Sequence, residues 1–287
     1  DLHKEYRRQR QMCIRDSTLY SALGICGMSL LVLCAACTEQ DGLPSADPQP
    51  LTLAIGETIP FVKATGGTHT RVADSGTALT WENGDKIYLA ATITASGGAT
   101  TYAYSTATYT ISGSTGTWSA PDPAISAPSG ATVKIEALYA NGTLSGNILT
   151  LTENSIVMKA TSASITVTSP VAAIPLKFKS TLVRLDITGI SSINTVTASS
   201  FNIPQSTDTK PANGSFSITS ASASNTLTKN GVYYALPGAI SITTTITPSN
   251  SKKTIQLAAA DVKANQSYPI DMSSENGTIR PDGEPFV

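Results

Sequence analysis

The sequence predicts an all-β protein built from β-sandwiches. Three observations predict it. After the first fifty residues apolar residues alternate with a period of two almost everywhere, as in Leu51, Leu53 and Ile55 against Thr52 and Ala54. Ser, Thr, Ala and Gly dominate, and charged residues make up only 14% of the 287, a composition poor in the residues helices favour. Asn-Gly pairs at Asn83-Gly84, Asn141-Gly142 and Asn213-Gly214 punctuate the runs, and Asn-Gly tolerates the positive φ that a tight hairpin turn needs. No window of helical length carries a 3.6-residue period, although Ala258–Val262 is suited to a single helical turn.

The chain begins with a basic stretch, residues 1–17, that does not start with Met. Gln11-Met12-Cys13-Ile14-Arg15-Asp16-Ser17 reads as the translation of a transposase adapter used in sequencing libraries, so residues 1–17 are set aside as a sequencing or assembly artefact. Residues 18–36 read as a signal peptide: the apolar run Ala22–Val32 is too short to span a bilayer and leads into small residues. Leu33-Cys34-Ala35-Ala36-Cys37 resembles a bacterial lipobox, which implies cleavage before Cys37 and lipidation of Cys37. Residues 37–50 form a polar tether broken by Gly42, Pro44, Pro48 and Pro50. Glu39 and Asp41 in it resemble an acidic surface-export signal; the alternative is that they only solvate the tether.

Strands follow. Leu51–Val62 is expected as a leading strand whose Leu51, Leu53, Ile55, Ile59 and Phe61 point inward. Leu79 and Trp81, then Ile87 and Leu89, flank the first Asn-Gly pair as a hairpin. Further strands are expected over Tyr102–Ile111, Thr132–Tyr139, Ile148–Leu151, Ser164–Val167 and Pro175–Phe178. Later ones are Leu182–Thr188, Thr195–Ile203, Ser215–Thr219, Val232–Leu236, Ile240–Ile246, Thr254–Leu257 and Ser267–Met272. A Ser/Thr-rich stretch between Met158 and Pro170 divides the chain into an N-terminal sandwich, residues 51–160, and a C-terminal sandwich, residues 161–287.

Composition removes several function classes. A formal net charge of −1 gives no electrostatic case for nucleic acid. Cys13, Cys26 and Cys34 precede the expected cleavage point, so once Cys37 is acylated no thiol is left for a disulfide or a cysteine metal site. His69, the only histidine after Cys37, reads as a polar loop residue with no Ser-His-acid set around it. The chain is expected to be no enzyme and to carry no cofactor or metal. Trp81 and Trp118 read as core anchors, with sugar stacking as the alternative. Asp85 and Lys86 read as a solvated hairpin tip, and Asn141-Gly142-Thr143 and Asn276-Gly277-Thr278 as turns rather than glycosylation acceptors.

Several segments taken in order carry a family resemblance. They are Thr70-Arg71, Leu79-Thr80-Trp81-Glu82-Asn83-Gly84-Asp85-Lys86-Ile87-Tyr88-Leu89, Ile174-Pro175-Leu176-Lys177-Phe178-Lys179 and Leu182-Val183-Arg184-Leu185-Asp186-Ile187. Tyr234-Ala235-Leu236-Pro237-Gly238 and Asn265-Gln266-Ser267-Tyr268-Pro269-Ile270-Asp271-Met272 complete the set. From the lipobox to near its end the chain resembles the fimbrillin family of Bacteroidales, the Mfa-like subunits of type V pili. Ser180 stands where that family carries a histidine.

The resemblance implies two transthyretin-like β-sandwich domains, no enzymatic activity, and residence at the bacterial outer membrane and cell surface, in a fimbrium. It implies a lipid anchor and a cut by an arginine-specific protease, for which Arg71 is the matching position; the alternative is a solvated loop arginine. Removal of Leu51–Val62 would open an apolar groove for a strand of another fimbrial subunit, self or related, by donor-strand exchange. Stalk, tip and anchor roles stay open, as does a host glycan or protein ligand. The competing reading is a surface glycan-binding lipoprotein of a carbohydrate-uptake system.

Overall fold

Alternating apolar residues build two large sheets, and the chain moves between them more than once. The structure, a computed structural model, describes residues 48–63, 79–168, 172–190, 194–223, 227, 229–246 and 251–272. The described residues contain strands, turns and coil and no helix, so the all-β expectation holds.

The leading segment contributes β1 (Gln49–Pro50), β2 (Leu53–Ile55) and β3 (Val62–Lys63). Next come β4 (Lys86–Thr94), β5 (Thr100–Ser112), β6 (Thr115–Trp118), β7 (Ser126–Ala127) and β8 (Thr132–Ala140). The middle of the chain gives β9 (Gly142–Ser145), β10 (Ile148–Leu151), β11 (Val157–Thr161), β12 (Ile165–Thr166), β13 (Ile174–Leu176) and β14 (Lys179–Ser180). The last group is β15 (Val183–Thr188), β16 (Asn194–Asp208), β17 (Ile218–Ala223), β18 (Gly231–Ile246), β19 (Ser251–Leu257) and β20 (Gln266–Asp271).

The first sheet runs β14-β11-β8-β4-β5-β6, with β12 also beside β8. Ile87, Leu89, Ala91 and Ile93 of β4 share one face with Val133, Ile135 and Ala137 of β8, the period-two spacing of a pleated strand. They form a first core with Leu51, Ile125, Ala127, Ile174, Leu176 and Phe178. Two short ladders supply those partners: β1 with β7, and β2 with β13. The other face of β4 is buried as well. Tyr88 and Ala90 pack with Leu138, Leu149, Leu182 and Phe216 in a seam between the two sheets.

The second sheet runs β3-β20-β15-β18-β16-β10-β9, with β17 on β16 and β19 on β18. Its core holds Val183, Leu185, Ile187, Ile240, Ile242, Ile255, Tyr268 and Ile270. β18 is one strand of 16 residues where the sequence predicts two. Pro237-Gly238 is its corner: Ala235 and the residues before it pair with β15, and Ile240 onward pairs with β19. Gly238 has φ 154°, a conformation disfavoured for residues with a Cβ, and Pro237 lacks a ladder donor just where the ladder changes partner.

Strand pairing crosses the division expected at residues 160 and 161: β12 pairs with β8 and β14 with β11 in the first sheet, and β13 pairs with β2 in a short ladder of its own. The physical reason is burial, since Ile174, Leu176 and Phe178 fill the first core rather than the second. In the opposite sense, β9 and β10 join the second sheet through β16. The described residues all belong to one compact unit. The Asn-Gly pairs also differ from expectation. Residues 79–81 ahead of Asn83-Gly84 are coil, so no hairpin forms there. Asn141-Gly142 carries the chain from the first sheet to the second, and a Cβ at Gly142 would lie 2.1 Å from the Thr150 carbonyl oxygen. Of these three pairs, Asn213-Gly214 alone lies between two paired strands, in the long loop from β16 to β17.

Candidate functional site

The leading segment enters by pairing β1 antiparallel with β7, and the Leu51 N–H donates to the Ile125 carbonyl at 2.8 Å. It then runs parallel to β13, with Leu53, Ala54 and Ile55 opposite Ile174, Pro175 and Leu176. Main-chain bonds continue along this path: Ile174 N–H to Thr52 O at 2.8 Å, Gly56 N–H to Leu176 O at 3.0 Å, and Ile59 N–H to Phe178 O at 2.7 Å. After Pro60 the segment crosses to the second sheet. There β3 lies parallel to β20, with Val62 opposite Gln266 and Lys63 opposite Ser267. One segment therefore touches both sheet systems and covers the first core.

Its side chains follow this path. Leu51 and Phe61 are buried, and Leu53 and Ile55 are half-buried against the first core. Ile59 is 38% exposed, so the inward placement expected of it does not occur. It sits at an isolated parallel bridge to Lys179, where the segment leaves one sheet for the other. The single strand expected over Leu51–Val62 is thus two short strands separated by Gly56 and Pro60.

Three groups hold the segment from below. Phe61 stacks on Tyr234 with ring centroids 5.8 Å apart. Tyr234 stands opposite Arg184 in the β15–β18 ladder. Arg184 is buried; its guanidinium donates to Asp186 Oδ2 and to Ser267 Oγ, both at 3.0 Å, while its Nε finds no acceptor among the described residues. Burial pushes the Tyr234 phenol above its ordinary value, and the Arg184 charge opposes that rise.

Asn265 is the second group. It adopts φ 63°, which Asn tolerates better than most residues. Its Nδ2 donates to the Pro60 carbonyl and its Oδ1 accepts the Ser180 N–H, each at 3.0 Å. Its own N–H donates to Leu182 O at 2.8 Å. Ser180 uses its Oγ to accept the Leu182 N–H at 3.0 Å.

Trp81 is the third. Its Nε1 donates to Gly56 O at 3.4 Å, and nearby the Thr58 hydroxyl donates to Leu79 O. The Trp81 ring meets Trp118, Tyr139 and Phe178 edge-on at centroid distances of 4.9, 5.4 and 5.2 Å. Such edge-to-face contacts anchor packing rather than leave a ring free to stack on a sugar. Asp85 is no solvated tip: its carboxylate accepts the Tyr139 hydroxyl at 2.9 Å and the Glu82 N–H at 2.7 Å. Burial first, and then Asp85, hold the Tyr139 phenol far above its ordinary value.

Cys37, His69 and Arg71 lie outside the described residues. Among the described residues no cluster of His, Cys, Asp and Glu is placed to hold a metal. The sequence assigns no structural role to Asn265, Ser180 or Arg184, because Asn265 meets Pro60 and Ser180, and Arg184 meets Ser267, across long stretches of chain.

No family model and no curated protein matches the chain. Solved structures do. A fimbrial assembly protein from Parabacteroides distasonis is 10% identical, with 78% of this chain and 90% of that one covered and a TM-score of 0.43. A protein from Bacteroides uniformis, named for a role in cell adhesion, is 20% identical over 68% of this chain and 89% of its own, also with a TM-score of 0.43. The fimbrial anchor protein Mfa2 from Porphyromonas gingivalis is 10% identical over 78% and 90%, with a TM-score of 0.38. The chain is thus similar to solved fimbrial and cell-adhesion proteins.

Proposed function

We propose that this chain is a subunit or adhesin of a type V fimbrium. In this reading it is exported as a lipoprotein through Cys37, trimmed after Arg71 and polymerised by donor-strand exchange with other fimbrial subunits. The observation that carries the reading is the leading segment. It is held by parallel main-chain pairing and by side chains fitted to both sheet systems, and in the sequence the Arg71 stretch follows it directly. Each of those bonds to the leading backbone is one that a strand from another chain can replace in kind. Burial of Leu51, Leu53, Ile55 and Phe61 contributes on the order of 5–10 kcal/mol before ordering costs, so an emptied groove is strongly driven to refill. The glycan-binding alternative loses its main support, because the ring of Trp81 is committed to contacts inside the protein.

Trypsin-like digestion tests the reading. Wild-type protein should lose the segment up to Arg71 and then form denaturant-resistant ladders, whereas Arg71→Ala should stay monomeric under the same treatment. Trimmed protein that remains monomeric would defeat the exchange reading.

A further inference from the structure

We infer that Asn265 sets the register of the strand in the leading groove by reading one main-chain carbonyl at the point where that strand crosses between sheets. The inference rests on the exchange reading for any strand other than the chain's own.

The amide of Asn265 has no freedom to turn. The Ser180 N–H can be met only by an acceptor, so Oδ1 must face Ser180 and Nδ2 must face the groove. Asn265 is 8% exposed, so an Nδ2 without an acceptor would be a buried unmet donor. Pro60 suits the position, because a proline presents a carbonyl and no N–H. A strand shifted by one residue presents a different main-chain group to Nδ2 and turns its apolar side chains to the wrong face. The contact reads backbone alone and so accepts any side-chain sequence. The apolar pockets on either side, at Leu53 and Ile55 and at Phe61, then select the side chains.

The backbone at Asn265 permits a clean test, because Asp and Gly both tolerate its φ of 63°. Asn265→Asp keeps an acceptor for Ser180 and turns an oxygen toward the Pro60 carbonyl. Asn265→Gly removes the side chain altogether and serves if the Asp variant fails to fold. In the intact chain, amide hydrogen exchange at Ile59, Val62 and Lys63 should speed up about three- to tenfold in either variant, while the amides of β15 and β19 stay unchanged. No change at those three amides, or an equal rise across the second core, would overturn the inference. After trimming, ladders of the variant should dissociate at lower denaturant than wild-type ladders. Wild-type ladders matched by equally resistant variant ladders would sink this inference alone. Failure of the wild type to form ladders would sink the exchange reading and leave the hydrogen-exchange result to decide the role of Asn265.

Discussion

The Glu136 carboxylate and the Lys159 ammonium lie 2.5 Å apart and grip the same distant peptide. Glu136 accepts the Phe216 N–H at 2.8 Å and the Ser215 hydroxyl at 3.0 Å, and Lys159 donates to the Phe216 carbonyl at 2.8 Å. The pair sits on β8 and β11 of the first sheet, and the peptide belongs to the loop between β16 and β17 of the second. Glu136→Ala strips the partner from a half-buried main-chain donor and should lower stability by about 2 kcal/mol; Glu136→Gln, which keeps an acceptor, should cost about 1 kcal/mol. Equilibrium urea unfolding measures both.

Phe61 and Ile59 lie two residues apart in the leading segment and should respond differently. Phe61 is 5% exposed and stacked on Tyr234, so Phe61→Ala should cost about 3 kcal/mol. Ile59, 38% exposed, should tolerate Ser with a loss of about 1 kcal/mol or less. Comparable losses at the two positions in thermal or urea unfolding would contradict the described path of the segment.

The protein's two tryptophans touch each other, and one of them binds the leading segment. Removal of that segment frees the Trp81 N–H and opens its surroundings to water. Tryptophan emission should shift to the red on trimming and return as ladders form. Trp81→Phe should remove most of the signal; an unchanged spectrum through trimming would mean that the segment stays in place.

Alkaline pH should destabilise the fold through tyrosine. Tyr139 is pushed well above its ordinary value by burial and by Asp85, and Tyr88, Tyr234 and Tyr268 are raised chiefly by burial. A raised pKa means that the folded state holds the proton longer than the unfolded state. The stability from these groups is complete below the unfolded value of 10.0 and is lost as pH rises through the interval above it. Tyr139→Phe should cost about 1 kcal/mol at neutral pH through the lost bond to Asp85, yet flatten the decline above pH 10.0. Urea midpoints across that range check the sign.

On the proposed lipoprotein reading, Cys37→Ala should abolish lipid labelling and release the protein from the membrane fraction, since each buried CH₂ of an acyl chain contributes about 0.8 kcal/mol to residence. Unchanged fractionation would contradict lipidation at that residue.

Local pattern made much of the fold legible. The alternation in Ile87, Leu89, Ala91 and Ile93, and again in Val183, Leu185 and Ile187, is the facing of β4 and β15. Legibility failed where a residue's surroundings come from far along the chain. Tyr88 and Ala90 were not readable as buried, because Phe216 and Leu182 cover them. Ile174, Leu176 and Phe178 sit near the start of the second half in sequence but close the first core in space. Asn265 meets a carbonyl 205 positions away, a distance at which spacing carries no information. The leading segment was readable from its alternation, whereas its bend at Gly56 and Pro60 depends on two sheets that the segment alone does not reveal.

The parallel seating of β2 and β3 also has a mechanical side. The bonds from Thr52, Gly56 and Ile59 to β13 and Phe178 lie across the segment's length. A pull along that length loads them together, and all must yield at nearly the same moment. A pull at right angles, starting from the Lys63 end, loads them one after another. A fibre whose joints are strands seated in this way would resist stretching by flow far better than peeling from a single end.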